Sequence, residues 1–147
     1  PDVCEIASGA ASDCNSNGIP DECEADCNGN GTPDDCDIAS GTSLDTNGNG
    51  TPDECETQFQ RGDANASGNV NVTDPIYILQ YVIGTGPTPT CLDSADVNDD
   101  EQLDLTDTIS LLQYLFMAST PPGAPFGNCG IDPDGESIGC ESFSTCP

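Results

Sequence analysis

The sequence predicts a mostly irregular, disulfide-stabilised repeat array followed by a small all-α module of paired loops and helices. Three observations predict this fold class. A twelve-residue pattern, D-x-N-x-N-G-x-P-D-x-C-(D/E), occurs three times between residues 13 and 56. A second duplication, between residues 61 and 118, joins a polar loop to an apolar segment in each half. The 147 residues include ten cysteines but no histidine, a composition that favours disulfides over zinc sites.

The twelve-residue pattern is that of an EF-hand-like calcium loop. Oxygen-bearing side chains occupy loop positions 1, 3, 5, 9 and 12, and position 7 adds a backbone carbonyl. Glycine at position 6 permits the positive φ that the turn requires. The predicted calcium ligands of these three loops, named loops 1, 2 and 3, are Asp13, Asn15, Asn17, Ile19, Asp21 and Glu24; Asp26, Asn28, Asn30, Thr32, Asp34 and Asp37; and Asp45, Asn47, Asn49, Thr51, Asp53 and Glu56.

The first 56 residues form an internal repeat. Residues 1–24 align without gaps on residues 33–56, and sixteen of the 24 positions are identical. Such self-similarity predicts a quasi-linear array in which each unit contacts its neighbours. The few apolar residues of the array bury too little surface to hold it together, so we expect calcium and disulfides to stabilise it.

Two acidic residues near the start of the chain belong to an incomplete loop. Asp2 and Glu5 occupy positions 9 and 12 of a loop whose first half the sequence does not contain. Two interpretations are open. Cleavage within a repeat explains the gap, and so does a neighbouring copy that supplies the missing oxygens. In the second case one further calcium ion is shared between chains, and the heterologous contact propagates as a fibre.

The cysteines of the array follow the loop pattern. Cysteine occupies position 11 in every loop and position 2 in loops 1 and 2. Pairing each position 11 with the next position 2 uses all six cysteines, although six cysteines allow fifteen connectivities. The expected disulfides, with two more in the C-terminal part, are Cys4–Cys14, Cys23–Cys27, Cys36–Cys55, Cys91–Cys129 and Cys140–Cys146. A zinc site made by Cys23, Cys27 and Cys36 is the alternative.

The second duplication predicts two further calcium loops, each followed by a helix. RGDANASGNVNVTDPIYILQYVIG and SADVNDDEQLDLTDTISLLQYLFM are offset by 33 residues, and Glu101 stands where the second loop should carry glycine. The predicted ligands of loops 4 and 5 are Asp63, Asn65, Ser67, Asn69, Asn71 and Asp74; and Asp96, Asn98, Asp100, Gln102, Asp104 and Asp107.

The apolar segments of this duplication are expected to build the core. Two helical faces should pack on each other. These are Ile76, Leu79, Tyr81, Val82 and Ile83 on one helix, and Ile109, Leu112, Tyr114, Leu115 and Phe116 on the other. The predicted domains are a calcium-binding array at 1–56, a connector at 57–61, the helical calcium module at 62–119, and a Pro/Gly/Cys-rich tail at 120–147 that packs on the module.

The charge of the chain limits its partners. Asp and Glu number 27 against a single base, Arg61, for a net charge of −26. The acids lie at ligand positions, and five bound calcium ions would remove ten of these charges, so we interpret the charge as metal-site charge. Nucleic acid is not an expected partner because no basic patch is present. No apolar run reaches the length of a transmembrane helix.

The motifs resemble known calcium modules. Residues 61–118, with G-D-x-N-x-x-G-x-V-N-x-x-D and a helix that carries I-L-Q-Y, resemble a dockerin module. This resemblance implies a paired loop–helix fold that binds calcium and docks onto a cohesin domain, usually in secreted proteins. Residues 1–56 resemble thrombospondin type 3 repeats, which implies a wire wound around a file of ions. The combination with the tail GNCGIDPDGESIGCESFSTC is similar to C-terminal regions of large secreted proteins from planctomycete-like bacteria.

Catalysis is not expected, because the chain lacks the histidine and lysine of ordinary nucleophile and base chemistry. We predict a secreted, extracellular or cell-surface calcium-binding structural or assembly protein, such as a filament or matrix subunit. It would hold about five ions and join its own copies head to tail through calcium. The alternatives are a dockerin-type module that binds a cohesin-like partner, with the array as a calcium-wire spacer, and a passive calcium buffer.

Overall fold

The structure, a computed structural model, describes residues 11–135 and 137–146. The chain divides into two compact units, Pro1–Glu56 and Thr57–Pro147. Asp2, Cys4 and Glu5 lie outside the described residues, so the two interpretations of the incomplete loop stay predictions. Within the described part of the chain, no helix is both long and apolar enough to cross a membrane.

The first unit contains short helical segments at the back of each loop. They are a 3₁₀ turn at Asp21–Cys23, helix α1 at Asp34–Ser40, and a 3₁₀ turn at Asp53–Cys55. A proline with φ between −61° and −56° precedes each segment. Proline favours helix initiation because its ring holds φ near the helical value. Helix α1 ends at Gly41, whose φ of 76° is left-handed.

The described residues of the first unit contribute nothing to either apolar cluster of the protein. Two disulfides, Cys14–Cys36 and Cys27–Cys55, link its segments instead. The buried side chains here include the carboxylates Asp34 and Asp37 and the hydroxyl of Ser43. Buried carboxylates are costly unless donors or cations satisfy them.

The described residues of the second unit form three helices: α2 at Thr73–Val82, α3 at Leu92–Ala95 and α4 at Leu105–Met117. Two carboxylates initiate α4. Asp104 accepts the Thr106 N–H at 2.6 Å, and Asp107 accepts the Asp104 N–H at 2.8 Å. This reciprocal arrangement satisfies backbone donors that would otherwise lack partners. Helices α2 and α4 pack on each other.

The core between α2 and α4 uses a different helix face from the one predicted. Ile78 and Leu111, related by the duplication, are fully buried with Ala64, Ala95 and Val97. Of the predicted residues, Val82, Tyr114 and Leu115 do pack against this cluster. Six others are exposed, and the prediction was wrong for them: Ile76, Leu79, Ile83, Ile109, Leu112 and Phe116.

The loop carboxylates explain this choice of face. Asp74 and Asp107 are fully buried because each reaches back into its own loop. Residues four apart lie on the same side of a helix, so burying Asp74 and Asp107 also buries Ile78 and Leu111. The apolar residues on the opposite side of each helix, such as Ile76 and Ile109, then face outward.

The C-terminal tail packs on the rest of the second unit through a second apolar cluster, made by Phe59, Cys91 and Phe143. Isolated antiparallel β-bridges pair the backbone of Phe59 with Gly130 and that of Cys91 with Cys140. Asp93 also holds the tail, since its carboxylate accepts the Ile138 N–H at 2.8 Å and the Ser137 hydroxyl at 2.7 Å.

The disulfide pairing corrects the prediction. The structure has Cys14–Cys36, Cys27–Cys55, Cys91–Cys140 and Cys129–Cys146. The expected pairs were wrong: Cys4–Cys14, Cys23–Cys27, Cys36–Cys55, Cys91–Cys129 and Cys140–Cys146. The physical reason in the array is that position 2 of one loop meets position 11 of the following loop.

These bonds also overturn the zinc alternative. Cys27 and Cys36 are both oxidised, and a disulfide sulfur is not the thiolate that binds zinc. Cys23 carries an exposed thiol.

Candidate calcium loops and apolar faces

Loops 1, 2 and 3 close by the same pair of hydrogen bonds. The N–H of position 9 donates to the carbonyl of the residue before position 1: Asp21 to Ser12 at 3.0 Å, Asp34 to Ala25 at 2.8 Å, and Asp53 to Leu44 at 2.8 Å. The position-9 carboxylate accepts the N–H of position 2: Cys14 to Asp21 at 2.8 Å, Cys27 to Asp34 at 2.9 Å, and Thr46 to Asp53 at 2.7 Å. Each loop is therefore held closed by its own residues.

The position-1 aspartate organises the front of each loop. In loop 1, Asp13 accepts the Asn17 N–H at 3.1 Å and the Gly18 N–H at 3.0 Å. Asp26 and Asp45 accept the Gly31 and Gly50 N–H groups at 2.9 and 3.0 Å. These glycines have φ of 85° to 89°, which confirms the expected left-handed turn.

Positions 3, 5 and 12 converge inside each of these loops. The position-12 carboxylate oxygen accepts from both asparagine amides. The contacts are Asn15 and Asn17 to Glu24 at 3.1 and 2.6 Å, Asn28 and Asn30 to Asp37 at 3.3 and 2.6 Å, and Asn47 and Asn49 to Glu56 at 3.0 and 2.8 Å. The structure thus brings together three of the predicted ligand positions in each loop.

The residues present fit a hard cation. Oxygen Oε2 of Glu24 is shielded from solvent and has no hydrogen-bond partner among the described residues. A shielded carboxylate oxygen without a donor is unfavourable unless a cation faces it. The amides that approach the carboxylate can present their oxygens by rotation. Carboxylate and amide oxygens are the donors that calcium prefers.

In loops 1 to 3, the side chains at positions 7 and 9 do not join the convergence of positions 3, 5 and 12. The position-9 carboxylates Asp21, Asp34 and Asp53 hydrogen bond to the loop backbone, as described above. At position 7, the N–H donates to the position-5 amide oxygen: Ile19 to Asn17 at 2.7 Å, Thr32 to Asn30 at 2.7 Å, and Thr51 to Asn49 at 2.8 Å. Only the carbonyls of these three residues are candidate ligands.

Loop 4 buries two opposed carboxylates. Asp63 accepts the N–H groups of Ser67 and Gly68 at 2.9 and 2.7 Å, and Asp74 accepts the Asn71 N–H at 2.8 Å. Oxygen Oδ1 of Asn65 is buried without a hydrogen-bond partner in the described part of the chain. Burial, with Asp63 nearby, raises the pKa of Asp74 to about 6. This group of oxygens matches the needs of a bound cation.

The carbonyl of Asn69 marks the other side of loop 4. It accepts from the Ser67 hydroxyl at 3.3 Å and from the Asn71 side-chain amide at 3.0 Å. Positions 5, 7 and 9 of this loop therefore lie together, as a calcium loop requires.

Loop 5 has the same backbone hydrogen bonding as loop 4, although Glu101 replaces the glycine at position 6. Asp96 accepts the Asp100 N–H at 3.3 Å and the Glu101 N–H at 2.9 Å. Glu101 has φ of 61°, the left-handed region that Gly68 occupies in loop 4. The carboxylate of Asp107 accepts the Val97 N–H at 2.9 Å, and burial raises its pKa to about 6. The two loops therefore share one backbone plan.

Other predicted ligands of loop 5 lie nearby. The Asn98 amide donates to Asp100 at 2.8 Å, and the Gln102 N–H donates to the same carboxylate at 3.0 Å. Asp104, at position 9, accepts from Thr106 instead and caps α4.

Arg61 has a structural role that sequence reasoning missed. Its side chain is 1% exposed, and it donates to the carbonyls of Asp96 and Ala124 at 2.7 and 2.9 Å. Its guanidinium also contacts Asp99 at 2.6 Å and Asp132 at 2.7 Å. The signal in the sequence was its status as the single base in a chain of 27 acids.

The duplication leaves two equivalent apolar faces exposed. We call Val72, Ile76, Leu79 and Ile83 the first apolar face, and their counterparts Leu105, Ile109, Leu112 and Phe116 the second apolar face. Each pair of counterparts is offset by 33 residues. Phe116 is 68% exposed. Contiguous exposed apolar side chains of this kind mark interaction surfaces.

The loop–helix geometry agrees with a comparison against protein families. Residues 61–116 match the dockerin type I domain. This match spans loops 4 and 5 and both helices that pack on each other, and it confirms the dockerin resemblance of this region. Dockerin domains are calcium-dependent docking modules. The comparisons with curated proteins and with solved structures found no match. None of the comparisons supports the resemblance of residues 1–56 to thrombospondin type 3 repeats or the planctomycete context.

Proposed function

We propose that this chain is an extracellular docking protein. Its dockerin domain binds a cohesin-like partner in a calcium-dependent manner, and its first unit is a calcium-stabilised spacer without catalytic activity. The family match of residues 61–116 carries the proposal. The four disulfides among the described residues support an oxidising, extracellular location.

Calcium binding would order loops 4 and 5 and so fix the helices that carry the docking surface. The residues that would hold it in loops 4 and 5 include Asp63, Asp74, Asp96 and Asp107, which are all fully or almost fully buried. A bound cation would neutralise these carboxylates. Because Asp74 and Asp107 lie in the first turns of α2 and α4, ordering the loops also fixes the two helices.

The apolar faces support helix-mediated docking. Each face has a spacing of three or four residues along one helix, the pattern by which a helix lays an apolar stripe on a partner. The two faces carry corresponding residues, so a partner that fits the first apolar face meets a similar surface on the second.

The proposal is tested by titrating the full chain against a panel of purified cohesin domains by calorimetry, with calcium and with excess chelator. We expect binding only with calcium. Ile76→Asp and Ile109→Asp should each weaken binding, and the double variant should abolish it. Leu44→Asp, an exposed leucine in the first unit, is the matched control. Undiminished binding by the double variant would contradict the role of the faces.

We rank head-to-tail assembly of copies through shared calcium as the second candidate function. It rests on Asp2 and Glu5, which lie outside the described residues. Electron microscopy of the purified chain with calcium tests it, since a filament is expected for assembly and a discrete particle for docking.

A further inference from the structure

Adjacent loops of the first unit are joined in one register. Position 2 of loop 1 is bonded to position 11 of loop 2 through Cys14–Cys36, and position 2 of loop 2 to position 11 of loop 3 through Cys27–Cys55. Each disulfide places the neighbouring position 10 of the later loop beside the earlier loop. Those position-10 residues are Asp35 and Glu54.

Both position-10 acids reach into the preceding loop. The Asn15 amide nitrogen donates to Asp35 at 2.5 Å and to Glu24, of its own loop, at 3.1 Å. In loop 2 the Asn28 amide nitrogen repeats this arrangement.

The Asn28 amide nitrogen donates to Glu54 at 3.3 Å and to Asp37, of its own loop, at 3.3 Å. In each case one predicted ligand lies between a carboxylate of its own loop and a carboxylate of the next. Ser43, which is buried, donates to Glu54 at 2.5 Å and holds that carboxylate in place.

The position-9 carboxylates of loops 1 and 2 are engaged in hydrogen bonds to the loop backbone, so each calcium site can accept a carboxylate from the next loop. Asp21 and Asp34 each use an oxygen to accept the N–H of position 2, at 2.8 and 2.9 Å. Calcium takes about six to eight oxygen ligands. The other oxygen of the Glu24 carboxylate that accepts from Asn15, Oε2, is shielded and has no hydrogen-bond partner among the described residues, which independently indicates a cation in loop 1.

We propose that Asp35 and Glu54 are calcium ligands of the preceding loop, so that loop 2 completes the site of loop 1 and loop 3 completes the site of loop 2. This inference rests on the proposed calcium binding by the first unit. Its consequence is that the sites of loops 1 and 2 each depend on one carboxylate of the following loop.

The test is a calcium titration of the full chain followed by the amide resonances of Gly18, Gly31 and Gly50. Each of these N–H groups donates to the position-1 carboxylate of its loop and so reports one site. The variants are Asp35→Asn and Glu54→Gln. Glu22→Gln is the matched control, because Glu22 occupies position 10 of loop 1 and lies at neither of these two contacts.

We expect Asp35→Asn to raise the midpoint at Gly18 by about tenfold or more, the effect usual for a lost group around a metal. Glu54→Gln should do the same at Gly31, with Gly50 unchanged in both. Mass mapping of Cys14–Cys36 and Cys27–Cys55 checks that each variant is correctly folded.

Unchanged midpoints at Gly18 and Gly31 in these variants would overturn the inference while leaving calcium binding intact. An equal shift in Glu22→Gln would also overturn it, since loss of charge alone would then explain the effect. Absence of any calcium response in the unmodified first unit would overturn both the inference and the proposed calcium-stabilised spacer.

Discussion

The guanidinium of Arg61 lies 2.7 Å from the carboxylate of Asp132, which follows 71 residues later in the chain. The same side chain binds the carbonyls of Asp93 and Asp96 at 3.2 and 2.7 Å. The buried guanidinium of Arg61 therefore links the start of the dockerin domain, the segment before loop 5 and the C-terminal tail. Burial raises the pKa of Asp132 to about 7, although Arg61 opposes that rise.

Arg61→Met should destabilise the second unit by about 3–5 kcal/mol, because it removes the buried guanidinium that donates to Asp132 and to three backbone carbonyls. Arg61→Lys should recover only part of this loss, since an ammonium does not reproduce the planar fork of donors. Urea unfolding at saturating calcium measures both free energies. Equal stability of the lysine variant and the unmodified protein would contradict a role for the fork geometry.

Calcium removal should unfold the loops of the first unit while leaving its disulfides intact. Its described residues belong to neither apolar cluster, so little burial opposes unfolding once the cations leave. Hydrogen exchange with and without chelator should show loss of protection across residues 13–56. The core around Ile78 and Leu111 should lose less protection, because buried apolar side chains also stabilise it. Full protection of the first unit in excess chelator would refute the prediction.

The calcium-free second unit should lose stability as pH rises from about 4 to about 6, the interval between the ordinary aspartate pKa and the raised values of Asp74 and Asp107. In this window the folded state holds more protons than the unfolded state, so raising the pH favours unfolding. Conversely, calcium affinity should fall as pH drops through this window, because protons compete for the same oxygens.

Urea midpoints of the calcium-free protein across this pH range measure the effect. The double variant Asp74→Asn with Asp107→Asn should show a flatter profile, leaving the contribution of Asp132, whose raised pKa acts in the same direction. A calcium-free midpoint that rises with pH would show that the sign is wrong.

Glu101→Gly should stabilise loop 5 by about 1 kcal/mol, because glycine adopts the left-handed conformation at this position without steric cost. Gly68→Ala is the matched control in loop 4, where φ is 84°, and should destabilise by a similar amount. Thermal unfolding with calcium measures both changes. A lower midpoint for Glu101→Gly would indicate that the glutamate side chain itself stabilises the loop.

Local features of this protein followed from its sequence. The loop boundaries, the left-handed glycines such as Gly18 and the loop–helix order of the dockerin domain depend on residues within about one loop of each other. Side chains such as Asp13 determine that conformation by hydrogen bonding to the backbone four and five residues later. The sequence by itself therefore determined where the loops lie and where the helices that follow loops 4 and 5 begin.

Tertiary structure decided which distant groups meet. The Cys14–Cys36 pairing depends on how one loop lies against the next, which the spacing of cysteines does not specify. The buried face of α2 was decided by Asp74, because its carboxylate reaches into loop 4 and turns Ile78 inward and Ile76 outward. Arg61 likewise acquired its role only when the tail brought Asp132 beside it.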